Sequence, residues 1–262
     1  MSPALALWAV LLGSRYVWLA SGLARPLPTS NRVDFSADKM DFYVTTVTGL
    51  EHVLAQEVRA LPGATKVVEG KNSVTFKGTV ETGVEALLWL RTSLKVMEKI
   101  AQCDYVSSKD VLYDWMYSID WQQMIQPDQT LKCDTVLGLR NPPDLTHSHF
   151  TALTIKNAIA DQFRNRGGGQ GARPSVDTEN PDLPLLLYLH KGEGTLYRVW
   201  SGEGSMHKRG YRTGAVHKAA LRETTAAALL MSTDWLKTWR QERYGVASQQ
   251  RAKRALQAGA EA

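Results

Sequence analysis

The apolar positions of residues 41–106 change between the spacing of a strand and that of a helix. Residues 41–48 are rich in β-branched and aromatic side chains, which predicts a strand. Apolar residues every three or four positions over 50–61 predict a helix, which Pro62 and Gly63 end. The same patterns then predict strands at 65–68 and 73–76, a helix at 84–91 and a strand at 96–106. The predicted order, β-α-β-β-α-β, is that of a ferredoxin-like domain.

A second unit of helices and strands is predicted after residue 107. Its elements are helices at 109–119 and 150–163, and strands at 130–139, 185–190 and 196–200. The last two strands form a hairpin across residues 191–194. Because residues 185–190 are almost continuously apolar, this strand is predicted to be buried on both faces. The predicted fold class is α+β.

The N-terminus has the features of a targeting segment. Residues 4–13 are apolar, but Arg15 interrupts the run, which is shorter than the roughly 20 residues that a bilayer-spanning helix needs. Arginine, serine and leucine without any acid up to Val33 are typical of an organelle transit peptide. We therefore expect residues 1–38 to be a targeting segment and linker, and the destination to be a chloroplast or mitochondrion. The alternatives are a disordered extension or a start at Met40, and a cytoplasmic location.

Composition and charge narrow the classes of protein. The 262 residues are 44% hydrophobic and 22% charged, which excludes collagen-like and largely disordered chains. The net charge of the chain is +5. Residues 1–33 contribute +3 and residues 198–262 contribute +7 (12 basic minus 5 acidic), so residues 34–197 contribute −5. Such asymmetry favours a polyanionic partner, with nucleic acid ahead of membrane. The two cysteines, 30 residues apart, exclude a disulfide framework and a cysteine-based zinc site.

Several short motifs occur in a fixed order in the second half of the chain. They are Arg173-Pro-Ser-Val-Asp177, Asn180-Pro-Asp182, Leu189-His190-Lys191, Trp200-Ser-Gly-Glu-Gly204, His207-Lys-Arg-Gly-Tyr-Arg212 and the run from Lys218 to Leu230. Together with Thr48-Gly49-Leu50-Glu51, they resemble the THUMP-containing rRNA guanine-N2 methyltransferases of the RlmL type. The resemblance covers residues 41–235.

The resemblance implies a domain organisation. It predicts a ferredoxin-like domain at 39–107, a THUMP RNA-binding domain at 108–204 and a junction helix segment at 205–235. In the family a methyltransferase domain that uses S-adenosylmethionine follows, whereas residues 236–262 are a basic tail rich in glutamine and alanine. We therefore expect no catalytic residue and no cofactor in this chain, unless a methyltransferase domain is supplied separately.

The resemblance also implies a function and two alternatives. The chain is expected to be an RNA-binding module similar to the substrate-recognition half of a large-subunit (23S-type) rRNA methyltransferase. The first alternative is a truncated or split part of an active S-adenosylmethionine-dependent enzyme, and the second is a non-enzymatic assembly subunit. The expected partners are RNA, above all rRNA, and a separate methyltransferase domain, with no membrane.

The candidate RNA-binding residues are basic, because guanidinium and ammonium groups neutralise phosphates. They are Lys156, Arg164, Arg166, Arg173, Lys191, Lys208, Arg209 and Arg212. Three of the arginines surround the glycine-rich stretch at 167–171. For the cluster at 207–222, packing between domains is as good an interpretation as RNA contact.

Three other features suggest chemistry but have simpler interpretations. Residues 141–144 resemble the Asn-Pro-Pro-Tyr motif of amino methyltransferases, but Asp144 replaces the aromatic residue and a loop is predicted. The glycine-rich stretch at 167–171 follows a helix rather than a strand, which predicts a helix end. His147 and His149 lack a third ligand, so we expect the solvated start of a helix and no metal site.

Overall fold

The computed structural model describes residues 16–18, 24–26, 39–166, 172–202, 204–210, 217 and 219–233. Two short antiparallel strands, β1 (Tyr16–Trp18) and β2 (Ala24–Pro26), are the described part of the N-terminal region. The remainder of the predicted targeting segment lies outside the described residues. Within the described part of the chain, no helix is both long and apolar enough to cross a membrane.

The first unit has the predicted ferredoxin-like order. It consists of β3 (Met40–Thr45), α1 (Glu51–Arg59), β4 (Thr65–Gly70), β5 (Ser73–Gly78), α2 (Val80–Trp89) and β6 (Lys95–Cys103). The four strands pair antiparallel in the order β4-β5-β3-β6. Gly63, in the predicted breaker, has a φ of +78° and follows the end of α1. The β-α-β-β-α-β prediction is confirmed.

The second unit combines parallel and antiparallel pairing. It consists of α3 (Lys109–Ser118), β7 (Thr130–Leu137), α4 (Ser148–Arg166), β8 (Ser175–Val176), β9 (Leu183–His190) and β10 (Glu193–Val199), followed by α5 (Glu223–Ser232). Strands β8 and β9 both run parallel to β7, whereas β9 and β10 form an antiparallel hairpin. The hairpin is confirmed, but its turn is only Lys191-Gly192, because Glu193 and Gly194 of the predicted 191–194 connection are already paired in β10. The predicted α+β class is confirmed.

The two units share one sheet. Strand β6 pairs antiparallel with β10, so all eight strands form a continuous sheet in the order β4-β5-β3-β6-β10-β9-β7-β8. The larger hydrophobic clusters, one around Phe42 and one around Trp121, include side chains of helices α1 and α4 respectively. Trp121 is fully buried and donates its indole N–H to the carbonyl of Met116 at 2.7 Å. In both clusters, helix side chains pack against strand side chains of the same face of the sheet, so the helices lie on that face.

The prediction that β9 is buried on both faces is wrong. Leu183, Leu185, Leu187 and Leu189 are buried, whereas the residues between them are only partly buried or exposed. Tyr188 is 41% exposed. Among the described residues no helix covers the second face, where Leu186 packs against a small buried cluster of Met97, Tyr197 and Val199. The apolar run of β9 therefore alternates between the main core and this partly buried face, which we call the helix-free face.

A partly buried ion pair joins the two units at the centre of the sheet. Arg198 of β10 donates from Nε and a terminal nitrogen to one carboxylate oxygen of Glu98 on β6, at 2.9 and 2.6 Å. The indole N–H of Trp200 donates to the same oxygen at 2.9 Å, and the guanidinium lies 5.6 Å from the centre of the Trp200 ring. The side chains of Arg198 and Glu98 are only 18% and 15% exposed.

Candidate nucleic-acid interface

The loops that follow β7 and β9 meet at one edge of the sheet. Because these strands are parallel, their carboxyl ends lie side by side. The N–H of Leu139 donates to Nδ1 of His190 at 3.1 Å, and the N–H of Lys191 donates to the carbonyl of Leu139 at 2.9 Å. These bonds hold the loop after β7 against the β9–β10 turn.

Backbone conformation fixes the shape of these two loops. A Cβ at Gly138 would lie 2.4 Å from Nδ1 of His190, so the close approach requires glycine. Lys191 and Gly192 both have positive φ, 55° and 78°, as a tight two-residue hairpin turn needs. Arg140 also has a left-handed φ of 58°, which few residues other than glycine adopt.

The side chain of Asn141 hydrogen-bonds the loop after β7 to the end of β9. Its side-chain nitrogen donates to the carbonyls of Gly138 and Leu189 at 3.1 and 3.2 Å. Its carbonyl oxygen Oδ1 is buried and has no hydrogen-bond partner among the described residues. The Asn-Pro-Pro stretch is a loop that ends in a short 3₁₀ turn at Pro143–Leu145, as predicted.

Exposed rings stand at the start of α4, next to this loop. The helix begins at Ser148, which confirms the predicted solvated helix start. Phe150 is 60% exposed, and its ring centre lies 4.9 Å from that of His147 and 5.9 Å from that of His149. Among the described residues no group of three metal-ligating side chains is found.

We call Arg140, His147, His149, Phe150 and Lys191 the strand-end cluster. Arg140 and Lys191 are exposed, and within the described parts of the chain neither forms an ion pair. Their charges are therefore available to a phosphate. The rings of the cluster lie at the start of α4, the helix that follows the same loop, and are exposed, so a base can stack on them.

Two of the predicted arginines at the other end of α4 have carboxylate partners. Arg164 bonds to Asp161 at 2.9 Å, and Arg166 bonds to Asp120. The hydrogen bond from Arg166 holds the pKa of the Asp120 carboxyl below its usual value. Both arginines also lie in the last turn of the helix, where a positive charge is stabilised by the helix dipole. Arg173 is exposed and has no ion pair in the described parts of the chain.

Lys156 lies in the middle of α4 and is partly buried. It is close enough to Cys133 on β7 to affect the thiol, whose pKa burial raises to about 12. The rise of a helix places Lys156 about 12 Å from Arg164 along the axis. Lys156 therefore lies away from the paired arginines, Arg164 and Arg166. Lys191 belongs to the strand-end cluster and is also separate from them.

Arg209 binds the end of α2. Its guanidinium donates to the carbonyls of Leu88 and Leu90 at 3.2 and 2.5 Å, and its backbone N–H points to Glu223 at 3.4 Å. Of the two interpretations of the 207–222 cluster, the structure gives Arg209 a packing role, against the ferredoxin-like unit. Lys208 is exposed, and Arg212 lies outside the described residues.

Two family models match consecutive parts of the chain. The RlmL ferredoxin-like domain matches residues 41–97, and the THUMP domain matches residues 106–199. The chain therefore contains an RlmL-type ferredoxin-like domain followed by a THUMP domain. This confirms the resemblance found in the sequence, and the eight-stranded sheet is the joint sheet of these two domains.

Curated relatives extend the match across both domains. A Ribosomal RNA large subunit methyltransferase K/L of Desulfotalea psychrophila is 36% identical over 76% of this chain and 26% of its own length. One of Syntrophotalea carbinolica is 37% identical over 74% of this chain, again 26% of its own length. The chain thus spans about a quarter of the length of these relatives.

A solved structure shows the same fold. A predicted N6-adenine-specific DNA methylase from Listeria monocytogenes has a TM-score of 0.66, with 23% identity over 79% of this chain and 51% of the other. At that identity the likeness concerns the fold of the two domains alone.

Sequence reasoning missed Arg140 and Phe150 of the strand-end cluster. Only the strand order could have pointed to them, because the loops that follow two neighbouring parallel strands lie side by side. The alternation of helix and strand predicted that loop, but the parallel pairing of β7 with β9 came only from the structure.

Proposed function

We propose that the chain is an RNA-binding module whose THUMP domain contacts rRNA through the strand-end cluster. The observations that carry the proposal are the exposed cations Arg140 and Lys191, whose loops are joined by the bond from Lys191 to Leu139, and the exposed ring of Phe150 at the start of α4. Cations without carboxylate partners bind phosphates, and the rings stack on unpaired bases. The names of the curated relatives support large-subunit rRNA as the substrate class.

The experiment is a salt titration of binding to a large-subunit rRNA fragment, using the whole chain. Arg140→Glu and Lys191→Glu are each expected to weaken binding at every salt concentration and to lower the salt slope by about 1. The matched control is Lys71→Glu, which reverses one exposed charge in the β4–β5 turn of the ferredoxin-like domain. Its affinity and slope are expected to stay near those of the parent chain.

The remaining predicted cations are tested in the same titration. Charge reversal of Lys156, Lys208 or Arg173 is expected to lower the salt slope. Reversal of Arg164 or Arg166 is expected to lower it less, since an RNA phosphate must displace Asp161 or Asp120 from these arginines. The proposal is wrong if binding does not weaken with salt, or if both strand-end reversals behave like Lys71→Glu.

A second proposal concerns catalysis. We propose that the module serves an S-adenosylmethionine-dependent methyltransferase domain, in the same protein or in a separate chain, that methylates the guanine amine of the bound rRNA. The exposed Trp89 at the end of α2, and Leu229 and Leu230 on α5, favour a partner surface on these two helices, both of which Arg209 contacts. Reconstitution with such a domain should give methyl transfer to rRNA, and no transfer after Trp89→Glu.

We propose that residues 1–38 direct the protein to a chloroplast or mitochondrion. The proposal rests on the acid-free, arginine-containing composition up to Val33. Residues 1–38 fused to a fluorescent protein should accumulate in one of these organelles and lose the segment there. Retention of the intact fusion in the cytoplasm would contradict it.

A further inference from the structure

The helix-free face of the sheet contains a cleft that spans the two domains. Its volume is about 400 Å³, and its walls come from strands β3, β4, β5, β6 and β10. Tyr43 and Tyr197 form part of its floor, and Lys66, Lys77, Lys99 and Asp41 stand around them. None of these residues belongs to the strand-end cluster.

Lys66 has a left-handed backbone conformation within a β-bulge. Lys66 has a φ of 51°, and the pairing of β4 with β5 shifts register between Thr65 and Val68. The left-handed region is unfavourable for a residue with a Cβ, and a bulge of this kind changes the direction of a side chain. The bulge places Lys66 among the residues that line the cleft.

The cleft has an excess of positive charge. Lys77 bonds to Asp41 at 2.8 Å, so these two charges neutralise each other. Lys66 and Lys99 are exposed, and neither forms an ion pair within the described residues. Two ammonium groups are therefore available to an anionic ligand.

The floor of the cleft is aromatic and neutral. The ring centres of Tyr43 and Tyr197 are 5.2 Å apart, with the planes tilted by 44°. Tyr197 is 8% exposed, and burial raises the pKa of its hydroxyl to about 12, so it carries no charge at neutral pH. Tyr43 is only partly buried, so part of its ring faces the cleft.

We propose that this cleft binds a nucleotide of single-stranded RNA, with its base on Tyr43 and its phosphates between Lys66 and Lys99. The proposal rests on the proposed function and adds a second contact surface, on the ferredoxin-like side of the sheet. An aromatic floor flanked by ammonium groups combines the two interactions that hold single-stranded RNA without reading its sequence.

The test uses the whole chain and a twelve-nucleotide oligouridine, measured by fluorescence anisotropy across a salt series. Lys66→Glu and Lys99→Glu are each expected to weaken binding at least about fivefold and to lower the salt slope by about 0.7. Tyr43→Leu removes the stacking ring and should weaken binding at least about fivefold, whereas Tyr43→Phe should retain the affinity. Lys71→Glu is again the matched control, because Lys71 does not line the cleft.

A second readout locates the contact directly. Oligouridine that carries one 5-iodouridine should crosslink on irradiation to Tyr43 or Tyr197, as identified by mass spectrometry of the peptides. Crosslinks found only at the strand-end cluster would overturn the cleft proposal.

The two proposals fail separately. If Lys66→Glu and Tyr43→Leu bind oligouridine like the parent chain while Arg140→Glu weakens binding to the rRNA fragment, the cleft proposal is wrong and the proposed function stands. If the parent chain binds neither RNA, both are wrong. Thermal unfolding of each variant verifies that it is folded.

Discussion

Glu57 on α1 satisfies a set of buried donors between α2 and β6. Its carboxylate accepts the N–H of Arg91 at 3.0 and 3.2 Å, and the N–H and hydroxyl of Thr92 at 2.9 and 2.6 Å. Glu57→Ala leaves these donors without a partner, and we expect a loss of about 2–4 kcal/mol in the free energy of unfolding. Urea unfolding measures it. Glu179→Ala, at an exposed loop residue, should change the same free energy by less than about 0.5 kcal/mol.

The basic residues show what a sequence tells about single side chains. The positions of Arg164, Arg166 and Arg209 are visible in the sequence, and so is Asp161, three residues from Arg164 on the same helix face. The partner of Arg166 is 46 residues away, and the carbonyls that bind Arg209 are about 120 residues away. Whether a cation is free for RNA therefore depended on contacts that no local pattern contains.

The pairing of β6 with β10 holds the two domains together at the level of elements. Arg198→Met removes one partner from an ion pair that is mostly shielded from water. We expect it to cost about 2–4 kcal/mol of stability, since it leaves the partly buried Glu98 carboxylate without a positive charge and with only the indole N–H of Trp200 as a donor. In a double-mutant cycle with Glu98→Gln, the combined loss should be smaller than the sum of the two single losses.

The control is an exposed ion pair. Arg59→Met breaks the pair with Glu69 and should cost at most about 1 kcal/mol. Equal losses for both arginine variants, measured by urea unfolding, would contradict this account.

Strand β9 shows how an element can be predicted while its environment is not. Its apolar run correctly predicted a strand, and residues 191–194 correctly predicted a hairpin, although the turn itself is only Lys191-Gly192. The same run does not distinguish a strand with helices on both faces from one with helices on a single face. Leu186 and Tyr188 are on the helix-free face, where Leu186 is partly buried against a small cluster and Tyr188 is exposed.

At the scale of the whole molecule, one sheet passes through two family domains. The strands of the ferredoxin-like domain and of the THUMP domain are continuous across β6 and β10. We therefore expect residues 39–199 to unfold in a single transition in urea, because neither domain keeps its sheet edge covered without the other. Hydrogen exchange of β3 and β9 should reach the unfolded level at the same urea concentration. Earlier opening of β9 would mean that the domains unfold independently.

The sequence by itself determined the order of the elements, the identity of the two domains and the basic composition of the ends. These depend on periodicity, turn residues and motifs, which are local along the chain. Only the tertiary structure decided that both domains share one sheet, and that the described helices pack on one face of it. It also decided which cations are paired and that Arg140 lies beside Lys191. These features arise where residues distant in sequence meet, and their free energies depend on burial and distance rather than on residue type.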